Sequence, residues 1–377
     1  MSNLIDLLRH MGPRWAAFRA WHALKTRSGW FKRRWPVRAW DDCPLGGALT
    51  DQALANPQAY VNYRRTHARF FFFSAADRER LAPLLTRFDR SNANPVVESD
   101  LIARGQFLLF SHTRVNGGVP PDWHVNPFTG QKAPADAHWS EIDPFAHGDI
   151  KCVWELSRFS FAYTLVRAYW RDGNDKWPEL FWQLVEDWRE RNPPHCGPQW
   201  MCGQETAFRA MAWCFALYGF LDSSATTPDR AVMLAQMLEV SGERIACNVA
   251  YALSQANNHG ISEALGLWTL GVLFPEFRQS AVWERLGCSW LERLGRELIY
   301  DDGGFCQHSA NYHRLMLHDY IWALRLAEIV GRPFSAELKE RVRRATEFLR
   351  QIQDDVSGRV ACYGGNDGAL VLPLDNC

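Results

Sequence analysis

Apolar side chains in the second half of this 377-residue chain recur with the helical period in block after block. The blocks run over about 151–171, 177–191, 203–221, 229–250, 259–273, 280–299, 309–330 and 335–354. Short polar or Gly/Pro breaks separate them: Asp172-Gly173-Asn174, Pro193-Pro194, Ser223 to Pro228, Asn257 to Gly260, Phe274-Pro275, Asp301 to Gly304, Gly331-Arg332-Pro333 and Ser357-Gly358. Eight helices joined by connections this short must run antiparallel to their neighbours. Stacked hairpins of this kind close into a ring or extend as a solenoid, and periodicity alone does not choose between the two.

The first 150 residues have a different texture. Leu4, Leu7, Leu8, Met11, Trp15, Phe18 and Trp21 keep helical spacing to about Lys25, interrupted by Pro13 and studded with Arg. A second helix is expected over 70–90, after the aromatic cluster Phe70 to Phe73. Gly105 to Phe110 reads as a short strand, and 114–149 as loop. After the last helical block, Gly364-Gly365-Asn366-Asp367-Gly368 is a turn, and Ala369 to Leu374 is strand-like. A strand needs partners, so this run is expected to begin a C-terminal β domain of which the chain holds only the start. The expected organisation is a basic amphipathic region over 1–100, a loop-rich segment over 101–150, a helical domain over 151–356 and the β start over 357–377.

Composition sharpens this picture in three places. Basic and acidic side chains balance at 42 each, so no net field selects a nucleic acid. Residues 1–38, however, hold nine basic side chains against one acid, leaving 33 against 41 in the remainder. Such a basic amphipathic arm either packs on the domain or touches an anionic membrane surface. Eighteen Trp are several times ordinary usage; most should fill helix interfaces, while flat Trp faces also suit sugar rings. The ten Cys include no C-x-x-C pair, and Cys196 and Cys202 beside His195 lack the spacing of a metal site. The N-terminus has no continuous apolar signal-peptide core, and the longest apolar run, Ala210 to Leu221, is too short to span a bilayer.

Candidate chemistry sits in two polar turns about 50 residues apart, each feeding a helix: Asn257-Asn258-His259, and Asp301-Asp302-Gly303-Gly304 through Ser309, Tyr312 and His313. Two such turns could meet at one end of a helical bundle. Abstracting the C5 proton of a uronic acid is hard because negative charge builds beside a carboxylate. Asn258 and His259 have the donors to stabilise that charge. Tyr312 can take the C5 proton or deliver one to the leaving O4. Its place in the first turn of a helix, with His313 adjacent, would favour the phenolate. The scheme calls for no metal and no cofactor. The same residues also have a structural reading, in which an Asn caps a helix, His259 bonds Glu263 one turn on, and Tyr312 is a buried aromatic with a satisfied hydroxyl.

The order of motifs resembles one family. Gly148-Asp149-Ile150-Lys151, Trp154-Glu155-Leu156-Ser157-Arg158, Asn192-Pro193-Pro194, Gln204-Glu205-Thr206 with Arg209, Asn257-Asn258-His259-Gly260, Asp302-Gly303-Gly304 to Tyr312-His313, and Asn366-Asp367-Gly368 are similar in order and spacing to the heparinase II/III-like polysaccharide lyases. The likeness runs from about residue 100 to the end. It implies a mainly α fold, an incomplete (α/α) toroid of antiparallel hairpins followed by a β-sandwich. It also implies β-elimination on an acidic, uronate-containing polysaccharide of heparan, alginate or capsule type. By position, Asn258 and His259 match the carboxylate-neutralising pair and Tyr312 the catalytic Tyr. Glu205 and Arg209, at i, i+4 spacing, match a polar pair near the cleft and equally suit a purely structural ion pair, and Glu155 and Arg158 match as architecture; His313 and Asn257 are further candidate substrate contacts. The family also uses a His from the β-sandwich, beyond the last residue here. Resemblance implies export, whereas the N-terminus shows no signal peptide. Two alternatives stay open: a glycoside hydrolase using Asp301, Asp302 or Glu205, and a non-catalytic polysaccharide-binding or assembly protein. Oligomeric state is not legible.

Overall fold

The computed structural model describes the backbone of residues 2–67, 71–74, 77–88, 94–368 and 370–372. Phe70 and residues 75–76 and 89–90 of the expected 70–90 helix, and Ala369 and residues 373–374 of the strand-like run, lie outside that set. The chain begins with α1 (Ser2–Arg27), broken at Gly12 (φ 79°) just before Pro13, then α2 (Trp30–Arg34), α3 (Leu45–Ala48), α4 (Pro57–Thr66), α5 (Arg78–Phe88) and α6 (Pro95–Ala103). A two-stranded antiparallel hairpin follows, β1 (Gln106–Leu109) and β2 (Thr113–Asn116), with Gln106 opposite Asn116. The expected strand is therefore present, and its partner is the start of the segment read as loop.

The helical domain comprises α7 (Lys151–Ser157), α8 (Phe161–Asp172), α9 (Lys176–Arg191), α10 (Gly203–Phe220), α11 (Pro228–Ser254), α12 (Asn258–Leu273), α13 (Ser280–Leu298), α14 (Ala310–Ile329) and α15 (Ala336–Gln351). One expected helix, 151–171, is two. Phe159 takes a left-handed conformation (φ 57°), and its ring stacks on Trp123 at 5.3 Å and meets Trp213 edge-on at 5.4 Å. Tertiary burial of one aromatic thus outweighs an unbroken helical period.

α8, α10, α12 and α14 neighbour one another in succession, and α9, α11, α13 and α15 pack outside them. This is the layered hairpin arrangement of an incomplete toroid. α10 is buried along all 18 residues, and α12 at every position except His259. Burial on all sides explains why both helices read as apolar all round rather than striped. α12 and α13 approach so closely that a Cβ on Gly287 would lie 2.5 Å from the Trp268 backbone nitrogen, so only Gly fits there. Among the described residues, 357–372 form no strand. The tail instead folds back along the start of α14.

The N-terminal helices join the same core. One hydrophobic cluster extends from Phe31 to Val371 and includes eight fully buried Trp side chains. Most of the Trp excess therefore goes into helix packing, each ring removing a large apolar area from water. α4 is pinned to the α12–α13 turn by a buried pair, Arg64 to Glu276 at 3.1 Å, with the Tyr60 hydroxyl also donating to Glu276 at 3.0 Å. Removing one partner of such a pair leaves a buried charge uncompensated. Arg64→Met should cost about 3–5 kcal/mol in urea unfolding; a loss below about 1 kcal/mol would show the pair to be dispensable.

Candidate active site

The inner helices α10, α12 and α14 each carry polar side chains in their first turn: Gln204 and Glu205, Asn258 and His259, Asn311 and Tyr312. These starts are gathered at one end of the domain. The Gln307 side chain accepts from the Asn258 backbone N–H at 3.0 Å, and Cys306 Sγ lies 3.6 Å from the Ala256 carbonyl. The two polar turns of the sequence therefore meet. Asn258 Nδ2 donates to Gln204 Oε1 at 2.6 Å, which ties the start of α12 to that of α10. The dipoles of three helices that start here give this end a positive potential suited to carboxylates.

Asn257 caps α12, its side-chain oxygen accepting from the His259 N–H at 3.0 Å. His259 is the one residue of α12 that is not fully buried. Its Nδ1 lies 3.7 Å from Cys202 Sγ, and no bond joins it to Glu263. Burial pushes the imidazole below its usual pKa and Arg158 acts in the same direction, while Glu205 and Asp367 oppose. A depressed value keeps the ring neutral at pH 7, with one nitrogen donating and one accepting. Glu263 instead takes a bond from Asn248 at 2.8 Å, and burial raises its carboxyl to about 8.

Tyr312 donates its hydroxyl to Asp367 Oδ2 at 2.8 Å. Asn311 Nδ2 reaches the other Asp367 oxygen at 3.2 Å, and Lys151 Nζ stands 3.6 Å from the carboxylate. Asp367 arrives here because the tail is laid across the start of α14: the Ala310 N–H donates to the Tyr363 carbonyl at 3.1 Å, and Ser309 bonds Gly365. Gly364 sits at φ 71° against the His308 carbonyl, where a Cβ has no room. Ser111, between β1 and β2, holds the far side of the tail through the Gly368 carbonyl at 3.1 Å.

Three expectations need correction. Tyr312 is not poised as a phenolate. Burial, then the bond to Asp367 and its charge, raise the phenol well above its usual pKa. His313 does not face it either: its Nε2 bonds the Ala345 carbonyl at 2.8 Å and its ring stacks on Phe348, so it is a buried support between α14 and α15. Glu205 does not pair with Arg209. It receives Arg158 through two bonds, of 2.5 and 2.8 Å, while Arg158 also holds Glu155. Arg209 is fully buried among the rings of Trp188, Trp200 and Trp213, 4.5–5.7 Å from their centroids, and bonds the Gln199 carbonyl. Burial lowers it to about 9. The residues that sequence reasoning left without a role are Asp367, Lys151, Gln204 and Gln307. All four stood in or beside quoted motifs, but nothing in the sequence says that the Gly-rich tail doubles back.

The carboxylates proposed for hydrolysis are engaged elsewhere. Asp301 pairs with Arg341 of α15 at 3.2 Å, Asp302 accepts from the Gly304 N–H at 2.8 Å, and Glu205 is held by Arg158.

The link between Asp367 and Tyr312 can be titrated. Asp367→Asn removes the anion that opposes phenol ionisation, so the Tyr312 pKa should fall by about one unit or more. Ultraviolet titration of the variant, with Tyr312→Phe as the blank, reads this directly; an unmoved value would mean the contact does not govern Tyr312.

Comparison with known proteins agrees with this architecture. The family model described as the heparinase II/III N-terminus matches residues 51–354. A heparin-sulfate lyase of Bacteroides thetaiotaomicron is 27% identical over 202 residues, covering 52% of this chain and 28% of that protein. A heparin-sulfate lyase of Bacteroides stercoris is 24% identical over 203 residues, covering 48% and 30%. Among solved structures, the heparan sulfate lyase HepC from Pedobacter heparinus superposes with a TM-score of 0.56 at 18% identity, over 80% of this chain and 45% of that one. A heparinase III structure gives 0.54 at 21% identity, over 84% and 45%. The chain thus spans under a third of the length of these curated relatives and under half of these solved structures. A match over most of its length, on the fold that the helical periodicity and the gathered turns already describe, means that this chain belongs to the heparinase II/III family.

Proposed function

We infer that this protein takes part in cleaving an acidic, uronate-containing polysaccharide by β-elimination, with heparan sulfate the first substrate class to try because the matched relatives are named for it. One observation carries the reading: the only incompletely buried residue of α12, His259, lies at the same end as a Tyr312 hydroxyl already bonded to a carboxylate. A neutral imidazole donor and the Asn258 amide suit the uronate carboxylate, where hydrogen bonds gain most as charge develops. Tyr312 is a phenol rather than a phenolate, so it works as a relay. Its oxygen accepts the C5 proton as its own proton passes to Asp367. The C5–H electron pair becomes the C4=C5 double bond and the C4–O4 bond breaks. Tyr312 then hands a proton to O4 and recovers one from Asp367, so the C5 proton is balanced by the one on the leaving group. Asn257, spent on capping α12, positions His259 instead of touching sugar, and Arg158 fixes Glu155 and Glu205 beneath the site.

Incubation with a panel of uronate polysaccharides tests this through the ultraviolet absorbance of the conjugated product. Absorbance should rise on at least one polymer, and Tyr312→Phe should lower the rate by about 10²–10⁴-fold, the usual worth of a positioned acid–base group. Asn258→Ala should cost about 10²–10³-fold, as loss of a charge-stabilising donor does. New reducing ends without absorbance would replace elimination by hydrolysis. Binding with neither signal would leave a polysaccharide-binding protein.

A further inference from the structure

A concave groove of about 700 Å³ lies between α1–α2 and the C-terminal half of α11. One wall, from Phe18 to Arg38, precedes the family match, which begins at residue 51; the facing wall on α11, with Gln279 and Trp283, lies within it. Its aromatic wall includes Trp21, Trp30, Trp35 and Tyr251. Two of its cations, Lys25 and Arg34, are held on rings instead of against carboxylates. Lys25 Nζ stands 4.3 Å from the Trp30 centroid and 5.3 Å from that of Trp21; Arg34 lies over Trp35 at 5.1 Å. Arg19 covers Tyr251 at 4.8 Å. Neither Lys25 nor Arg34 meets a carboxylate among the described residues. Glu243 is the acidic residue of the lining, and Arg38 neutralises it at 3.0 Å. The wall therefore carries a net positive charge. Burial, then Arg19 and Lys25, depress His22 in the same wall to about 4.

The groove and the site are linked through the C-terminal end of α11. Trp15 Nε1 donates to the Ser254 carbonyl at 2.8 Å, which fastens α1 to the last turn of α11. Tyr251 lies one helical turn, roughly 5 Å, before that end, and the Asn257–His259 turn follows at once. Asn248, also in the lining, bonds Glu263 one turn along α12 from His259.

We propose that this groove is a secondary binding site for the anionic polysaccharide, taking one or two sugar units beyond those at His259 and Tyr312, with ring faces against the pyranoses and Lys25 and Arg34 on sulfate or carboxylate groups. This rests on the polysaccharide reading of the site but not on the elimination step. Cations held on aromatic faces keep their N–H donors turned outward and are less hydrated than free ones, which favours charge-assisted bonds to anions. A concavity lined by rings and cations suits a glycan chain, whereas an amphipathic helix on a bilayer presents its apolar face to the lipid.

The test uses the full chain in the Tyr312→Phe background, so that no ligand is consumed, with a sulfated heparan tetrasaccharide as probe and Trp fluorescence as readout. The double variant Lys25→Gln with Arg34→Gln should weaken binding about tenfold or more and flatten its salt dependence, since two anion contacts are lost. Lys25→Arg with Arg34→Lys should retain binding, which separates charge from folding damage. The desulfated tetrasaccharide should bind weakly to both. Unchanged affinity in the glutamine double variant overturns the proposal. So does loss of affinity only for phosphatidylcholine vesicles containing phosphatidylglycerol, which would assign the basic arm to a membrane surface. If wild-type protein forms no conjugated product yet the groove binding behaves as stated, the elimination reading fails and the groove stands; product formation with groove variants indistinguishable from wild type gives the reverse.

Discussion

A helix buried on every face still has to satisfy the polar groups at its ends, and α10 and α12 have no solvent in which to do so. At the start of α12 the N–H groups are met by Gln307 from the segment before α14 and by the cap Asn257, and at the start of α14 by the cap Ser309. An unsatisfied buried amide is costly, so these bonds are required by the fold before any function is considered. They also fix where Asn258, His259 and Tyr312 point. The candidate site is in this sense a consequence of closing off the inner helices, with His259 left as the position where α12 opens to solvent.

Charge at this end is arranged in two tiers. Beneath the site, Arg158 joins Glu155 and Glu205, all three buried, and the Phe110 backbone N–H completes Glu155 at 2.9 Å. Above it, Asp367 is shared by Tyr312, Asn311 and Lys151. The lower tier is buried; in the upper one Tyr312, Asp367 and Lys151 are partly exposed.

Much of this could be read from the chain. The helical period located eight blocks, and the Gly, Pro and Asn breaks set their ends within a few residues, because buried helices of this length leave a strong pattern. The meeting of the two polar turns also followed from short connections. What the sequence hides is whatever depends on partners far apart in the chain. Phe159 breaks a helix for the sake of Trp123, Arg209 is enclosed by three Trp rings, and Glu205 turns to Arg158, 47 residues away, in place of Arg209 one turn on. Spacing along a helix shows which side chains can meet, and tertiary competition decides which do. Asp367 is the clearest case: its motif was visible, yet its contact with Tyr312 spans 55 residues and depends on a tail that folds back.

The central claim is that Asn258, His259 and the Tyr312–Asp367 pair surround one uronate. A crystal structure of Tyr312→Phe with a bound uronate tetrasaccharide tests it most directly. The account predicts a sugar carboxylate within hydrogen-bond reach of Asn258 and His259, with C5 about 3–3.5 Å from where the Tyr312 oxygen would lie. A tetrasaccharide bound with its carboxylates away from both residues, or with C5 facing away from position 312, would contradict it.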